Sequence, residues 1–122
     1  MAKILVIDDE ELMRQTLQAF LRRAGHQVML AKDGNEGVET FRTARPDLVI
    51  LDIIMPEKEG IEAIIEIKEI APDARILAMS GGGRTHDADL LVIARDVGAQ
   101  RVIRKPFSYD EFTSTVAACL AG

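Results

Sequence analysis

Cysteine, aromatic rings, positive charge and long apolar runs are all scarce in this chain. Cys119 is the single cysteine among 122 residues, so no internal disulfide can form. That excludes a disulfide-stapled secreted scaffold and fits a reducing compartment. Aromatic residues make up 4%, and 15 lysines and arginines face 20 aspartates and glutamates, a formal charge of −5. There is no basic stripe with interleaved rings, so direct nucleic-acid binding is not expected. Apolar stretches reach about five residues, against the roughly 20 needed to span a bilayer. Met1-Ala2-Lys3 leads straight into an apolar run without a signal-peptide pattern. The expectation is a cytoplasmic protein with no membrane segment. A hydrophobic fraction of 48% argues against disorder. The length suits one domain, and no repeat, linker or low-complexity segment divides it.

What is present is a series of short apolar runs, several of which end on a polar residue. Lys3-Ile4-Leu5-Val6-Ile7 meets Asp8-Asp9, and Asp47-Leu48-Val49-Ile50-Leu51 meets Asp52. Arg75-Ile76-Leu77-Ala78-Met79 meets Ser80, and Val102-Ile103-Arg104 meets Lys105. Such runs read as buried parallel strands, and Val28-Met29-Leu30 as a further short one.

Helical patterns fill the intervals. Leu12, Met13, Leu17, Phe20 and Leu21 are expected on one inner face, stopped at Gly25. Val38 and Phe41 mark a helix ending before Pro46. Ile61, Ile64, Ile65 and Lys68 form the expected inner face of a third helix, closed by Pro72. A fourth helix is expected between Arg84 and Val97 with Leu90, Leu91 and Ala94 buried. A fifth is expected to bury Phe112, Val116, Cys119 and Leu120. Five β-α units in succession predict an α/β domain, a parallel sheet covered by helices on both faces. The loop after Ser80, Gly81-Gly82-Gly83, is expected to be mobile.

In such a sheet, ligands sit at the carboxyl ends of the strands. Asp8, Asp9, Asp52, Ser80 and Lys105 are therefore expected on one edge. Two like charges about 4 Å apart cost roughly 1 kcal/mol in water and about 4 kcal/mol at an effective dielectric of 20. Three acids in one pocket call for a cation, and oxygen-only donors select Mg²⁺ or Mn²⁺ over zinc. The competing reading for Asp9 is a cap on the first helix, and for Ser80 a cap on the fourth. Lys105, held before Pro106, can pair with the acids and then with an incoming phosphoryl oxygen.

With Asp8-Asp9, Asp52 followed by Met55-Pro56, Ser80 and Lys105-Pro106-Phe107 in this order and spacing, the whole chain resembles a response-regulator receiver domain. The resemblance implies a doubly wound, flavodoxin-like (βα)5 domain over residues 1–122, sheet order 2-1-3-4-5; with Ala121-Gly122 just after the fifth helix, no output domain is expected in these residues. It implies Asp52 as phosphoacceptor from a histidine kinase or histidine phosphotransfer protein. It implies Mg²⁺ held by Asp9, Asp52 and the carbonyl of Ile54, with Asp8 bound mostly through water. Lys105 would contact the phosphoryl group, and Ser80 would move to hydrogen-bond it. The face of the fourth helix, fifth strand and fifth helix would meet a downstream protein and could support a homodimer on phosphorylation.

Two departures follow. Val102 stands where the family usually carries a ring that swings inward, so aromatic gating is not expected. Ile54 and Gly82, two residues beyond Asp52 and Ser80, offer no polar side chain to orient a water, which predicts slow self-dephosphorylation. His26 and His86 are expected at the surface. Alternatives of other classes are less well matched. A haloacid-dehalogenase-type phosphohydrolase needs Asp-x-Asp after the first strand, where this chain has adjacent acids. A flavin module needs a phosphate loop where Asp8-Asp9-Glu10-Glu11 would repel phosphate. A purely interacting receiver fold without phosphorylation is the remaining alternative.

Overall fold

The structure, a computed structural model, describes residues 2–55, 60–81 and 87–121, the backbone alone for 87–91. In chain order it runs β1 (Lys3–Ile7), α1 (Glu11–Arg23), β2 (Gln27–Ala31), α2 (Gly34–Ala44), β3 (Leu48–Asp52) and α3 (Gly60–Ile70). It continues with β4 (Ile76–Ser80), α4 (Asp87–Val97), β5 (Arg101–Arg104) and α5 (Tyr109–Ala121). The strands form one parallel sheet in the order β2-β1-β3-β4-β5.

Side chains alternate across a strand, and this alternation divides the core in two. Leu5 and Ile7 of β1, Val49 and Leu51 of β3, and Ile76 and Ala78 of β4 pack on one face against Val38, Phe41, Ala63, Ile64, Ile67 and Ala94. Ile4 and Val6, Leu48 and Ile50, and Leu77 and Met79 pack on the other against Leu17, Leu21, Phe112, Val116 and Cys119. Helices α2, α3 and α4 therefore cover one face, and α1 and α5 the other. Strands buried on both sides must be apolar throughout, as β3 and β4 are until each ends in a polar residue. Each fully buried Ile or Leu contributes about 1.5–3 kcal/mol.

Local signals set most ends. Gly25 takes φ 95° one residue past the Ala24 C-cap of α1. Asp33 caps α2, its carboxylate accepting from the Glu36 N–H at 2.8 Å. Arg45 closes α2 in a left-handed conformation before Pro46.

Three expectations need correction. Leu12 is 77% exposed. At 100° per residue it lies off the stripe of Met13, Leu17, Phe20 and Leu21 that faces the sheet. In α3 the buried stripe is Ala63, Ile64 and Ile67, while Ile65 is 41% exposed because it sits one residue, about 100°, beyond Ile64. Lys68 is half-buried but not as a core residue: its ammonium donates to the carbonyls of Pro72 and Ala74, at 3.0 and 2.8 Å. The expected mobile loop at Gly82-Gly83, the burial of Leu90 and Leu91, and His86 lie outside what is described. Ala94 is buried as expected.

Candidate functional site

The site lies where the chain order of strands reverses, between β1 and β3, at their carboxyl ends. The sheet brings together Asp8 just past β1, Asp52 at the end of β3, Ser80 at the end of β4 and Lys105 just past β5. Their separation along the chain is large, but parallel register aligns the strand ends: Ile7 pairs with Leu51, Asp52 with Met79, and Ser80 with Arg104.

Asp8 is fully buried and hydrogen-bonded throughout. Its amide donates to the Ala31 carbonyl at 3.1 Å, and its Oδ1 accepts from the Glu10 N–H at 2.9 Å. Asp52 is 7% exposed, with Oδ1 accepting from the Ile54 N–H at 2.9 Å. Lys105 Nζ bridges the two acids, 3.1 Å from Asp8 Oδ2 and 3.0 Å from Asp52 Oδ2. One carboxylate oxygen from each of Asp8, Asp9 and Asp52 lies within 4.8 Å of the others. This all-oxygen, anionic cluster fits a hard divalent cation, because carboxylate oxygens are the donors such ions take.

The capping alternatives fail. The N-cap of α1 is Glu10, with no side-chain cap bond, so Asp9 is exposed and spare for a ligand. Ser80 is fully buried, and among the described residues its Oγ has no hydrogen-bond partner. A buried hydroxyl of this kind is rare and costly. Ser80 is nevertheless pinned through its backbone, whose carbonyl accepts from the Lys105 N–H at 3.0 Å.

One ammonium facing two carboxylates cannot neutralise both. Burial pushes the Asp8 carboxyl up from its ordinary value, and the Glu10 N–H and Lys105 only partly offset this. Burial acts to lower Lys105, but Asp52 and Asp8 outweigh it and hold the lysine above its ordinary value. The sign of the linkage for Asp8 is then definite. A carboxyl raised by folding favours the fold below its unfolded value, and that contribution is lost as pH rises through the folded value. Near neutral pH the ionised Asp8 therefore destabilises the cation-free protein. Asp8→Asn should melt higher than the parent at pH 7 without divalent ions, since Lys105 keeps Asp52 as partner. The gain should shrink as pH falls, and Mg²⁺ should raise the melting temperature of the parent more than that of the variant. Thermal melts at two pH values with and without Mg²⁺ decide it; a variant that melts lower without metal would refute the argument.

Sequence reasoning missed two neighbours. Glu10 Oε1 lies 4.0 Å from Lys105 Nζ, and the Arg14 Nη1–H donates to the Asp8 carbonyl at 2.7 Å. Their signal was a run of four acids followed one turn later by a cation. His26 is half-buried in the turn before β2, its Nδ1 accepting from the Ala2 N–H at 3.3 Å, far from this edge in sequence and element. The free thiol of Cys119 is buried in the α1/α5 face and raised by burial.

A five-stranded parallel sheet of this order, with acids, serine and lysine at its switch point, defines a flavodoxin-like receiver fold. The chain belongs to the response regulator receiver domain family of two-component signalling, whose sequence pattern matches residues 4–117. It is 39% identical over 106 residues to the chemotaxis protein CheY of Thermotoga maritima, covering 86% of each chain. It is 36% identical to the alkaline phosphatase synthesis transcriptional regulatory protein PhoP of Bacillus subtilis, covering 97% of this chain and 48% of that one. The chain thus spans about half the length of several curated transcriptional regulators that it matches. Among solved structures, a response regulator receiver domain protein of Clostridium thermocellum superposes with a TM-score of 0.90 at 32% identity, covering 99% and 95% of the two chains. The receiver domain of NtrX from Brucella abortus gives 0.90 at 30%, covering 97% and 98%.

Proposed function

We propose that this domain accepts a phosphoryl group on Asp52 from a histidine kinase or histidine phosphotransfer protein, in a Mg²⁺-dependent reaction (Mn²⁺ serving as substitute). The observation that carries this reading is the pairing of a lysine bridged between Asp8 and Asp52 with a buried serine hydroxyl that has no partner among the described residues. Both are groups a phosphoryl oxygen would satisfy.

Asp9, Asp52 and the Ile54 carbonyl would hold the cation, with Asp8 acting through water. Bound there, Mg²⁺ supplies charge neutralisation for the transferred group. The protein's part is positioning and electrostatics, as in phosphoryl transfer generally. The Ile54 N–H holds Oδ1 and fixes the plane of the Asp52 carboxylate. A carboxylate oxygen of Asp52 attacks phosphorus, the P–N bond to the donor imidazole breaks with its electron pair left on nitrogen, and a P–O bond forms. Lys105 then exchanges a carboxylate for a phosphoryl oxygen, and the Ser80 O–H donates to another. Such charge-assisted bonds are about twice as strong as neutral ones.

A switch from 1:99 to 99:1 needs about 5.5 kcal/mol of differential affinity. In the sheet Ser80 pairs with Arg104, an exposed residue of β5, so a shift at Ser80 reaches the surface directly. Val102 is half-buried against the core and carries no ring to rotate. Arg101 and Arg104 on β5, with Val92 and Ile93 exposed on α4, provide the face for a downstream protein or a second copy. The domain turns over no separate substrate in this reading, and it works in the cytoplasm. Among the described residues no helix is long and apolar enough to cross a membrane.

Incubation with acetyl phosphate or phosphoramidate and Mg²⁺, followed by intact mass, tests the proposal. A metal-dependent gain of one phosphoryl group is expected in the parent and none in Asp52→Asn. No gain with the fold intact would leave a receiver fold kept as a binding module.

A further inference from the structure

Asp9 is the acid most available to a cation, and it is also the least supported. It is exposed, and no hydrogen bond of its own fixes it among the described residues, whereas Asp8 and Asp52 each have a backbone N–H on Oδ1 and Lys105 on Oδ2. Its position depends on the backbone to either side. The carbonyl of Asp8 has left the β1 ladder and accepts from the Arg14 Nη1–H at 2.7 Å; the carbonyl of Glu10 accepts from the Arg14 N–H at 3.0 Å. Arg14 thus holds the Asp8–Asp9 peptide directly through its side chain and the Glu10–Glu11 peptide through its main chain, while the Asp9–Glu10 peptide between them is held by the Asp8 carboxylate. No side-chain cap assists at this end of α1.

We propose that Arg14 is a positioning residue for the acid site, its guanidinium holding the turn that presents Asp9 to the divalent cation. This rests on the cation-dependent phosphoacceptor reading above. Arg14 does not touch the reacting atoms. A planar guanidinium suits the role because it stays charged at any working pH and loses less freedom per hydrogen bond than an ammonium. It also brings a positive charge beside Asp8, Asp9, Glu10 and Glu11, which would otherwise repel one another. Supports that orient metal ligands from outside the coordination shell commonly change affinity or activity by 10–100-fold.

The test is calorimetric titration with Mg²⁺ of the parent, Arg14→Ala, Arg14→Lys and a control, Arg22→Ala, exposed at the far end of α1. Arg14→Ala should weaken Mg²⁺ binding about tenfold, at the low end of that range, and Arg14→Lys should recover part of the loss. Arg22→Ala should bind as the parent does. With acetyl phosphate, the Mg²⁺ concentration for half-maximal rate should rise with the affinity change, while the rate at saturating Mg²⁺ stays within about twofold of the parent. General loosening of the fold would not produce that split. Equal Mg²⁺ affinity in parent and Arg14→Ala would overturn the inference alone. A slower rate at saturation with unchanged half-maximal Mg²⁺ would overturn it too. A parent that binds no Mg²⁺ would overturn the phosphoacceptor reading and this inference with it.

Discussion

Lys105→Ala should lose about 3–5 kcal/mol of stability at pH 7 without divalent ions, the usual penalty when one partner of a buried ion pair is removed. Asp8 is fully buried and the Lys105 side chain is 11% exposed, so solvent screens little of this interaction. The variant would leave Asp8 and Asp52 facing each other with no cation between them. Lys105 acts to lower the Asp8 carboxyl, so its loss raises that group further and the deficit should narrow as pH falls and Asp8 takes up a proton. Mg²⁺ should return part of the loss, about 2.7 kcal/mol at a concentration 100 times its dissociation constant. Phosphorylation should slow by 10² or more, the scale for removing one donor aimed at developing charge. Urea unfolding at two pH values, with and without Mg²⁺, measures the first effects. An unfolding free energy within about 1 kcal/mol of the parent at pH 7 would contradict the account, since it falls below any buried-pair penalty.

Gly60→Ala should be the second severe variant, for a reason of space alone. Gly60 opens α3 directly behind the end of β3, its N–H donating to the Ile53 carbonyl at 3.1 Å. A Cβ there would lie 2.5 Å from the Asp52 carbonyl oxygen and against the Ile53 Cα. Both obstacles are backbone, so no side-chain rotation relieves them. Gly37 is different, since its closest neighbour is the flexible end of the Ile7 side chain. Overpacking typically costs about 1–3 kcal/mol, sometimes more, and here the strain falls on the residue that must hold its carboxylate in place. We expect Gly60→Ala to lose at least 2 kcal/mol, roughly the middle of that range, and to phosphorylate poorly even when folded. A variant with the parent's melting temperature and phosphorylation rate would show that α3 can move away freely.

Much of this was legible in the chain. A strand buried on both faces is apolar along its length, so four short apolar runs were enough to name β1, β3, β4 and β5, and the polar residue ending each run named the site. The same logic misplaced Leu12 and Ile65, because an apolar residue near a helical stripe looks like a member of it. Which residues face inward depends on how each helix lies on the sheet. Glu10 and Arg14 escaped for a related reason. Their roles depend on where a carbonyl and an ammonium come to rest, and residue type alone does not carry that information.

Local periodicity and the residue that ends each strand are enough to set the alternation of elements, the two-sided burial of β3 and β4, and the groups delivered to one edge. Only in three dimensions does Lys105 bridge Asp8 and Asp52, the Ser80 hydroxyl lie buried with no partner among the described residues, and the Arg14 guanidinium reach the Asp8 carbonyl. Those contacts join residues as many as 97 positions apart, and parallel register sets their distances. Hydrogen bonds and ion pairs depend steeply on distance and angle, so the chemistry of the site appears only once the strands are aligned.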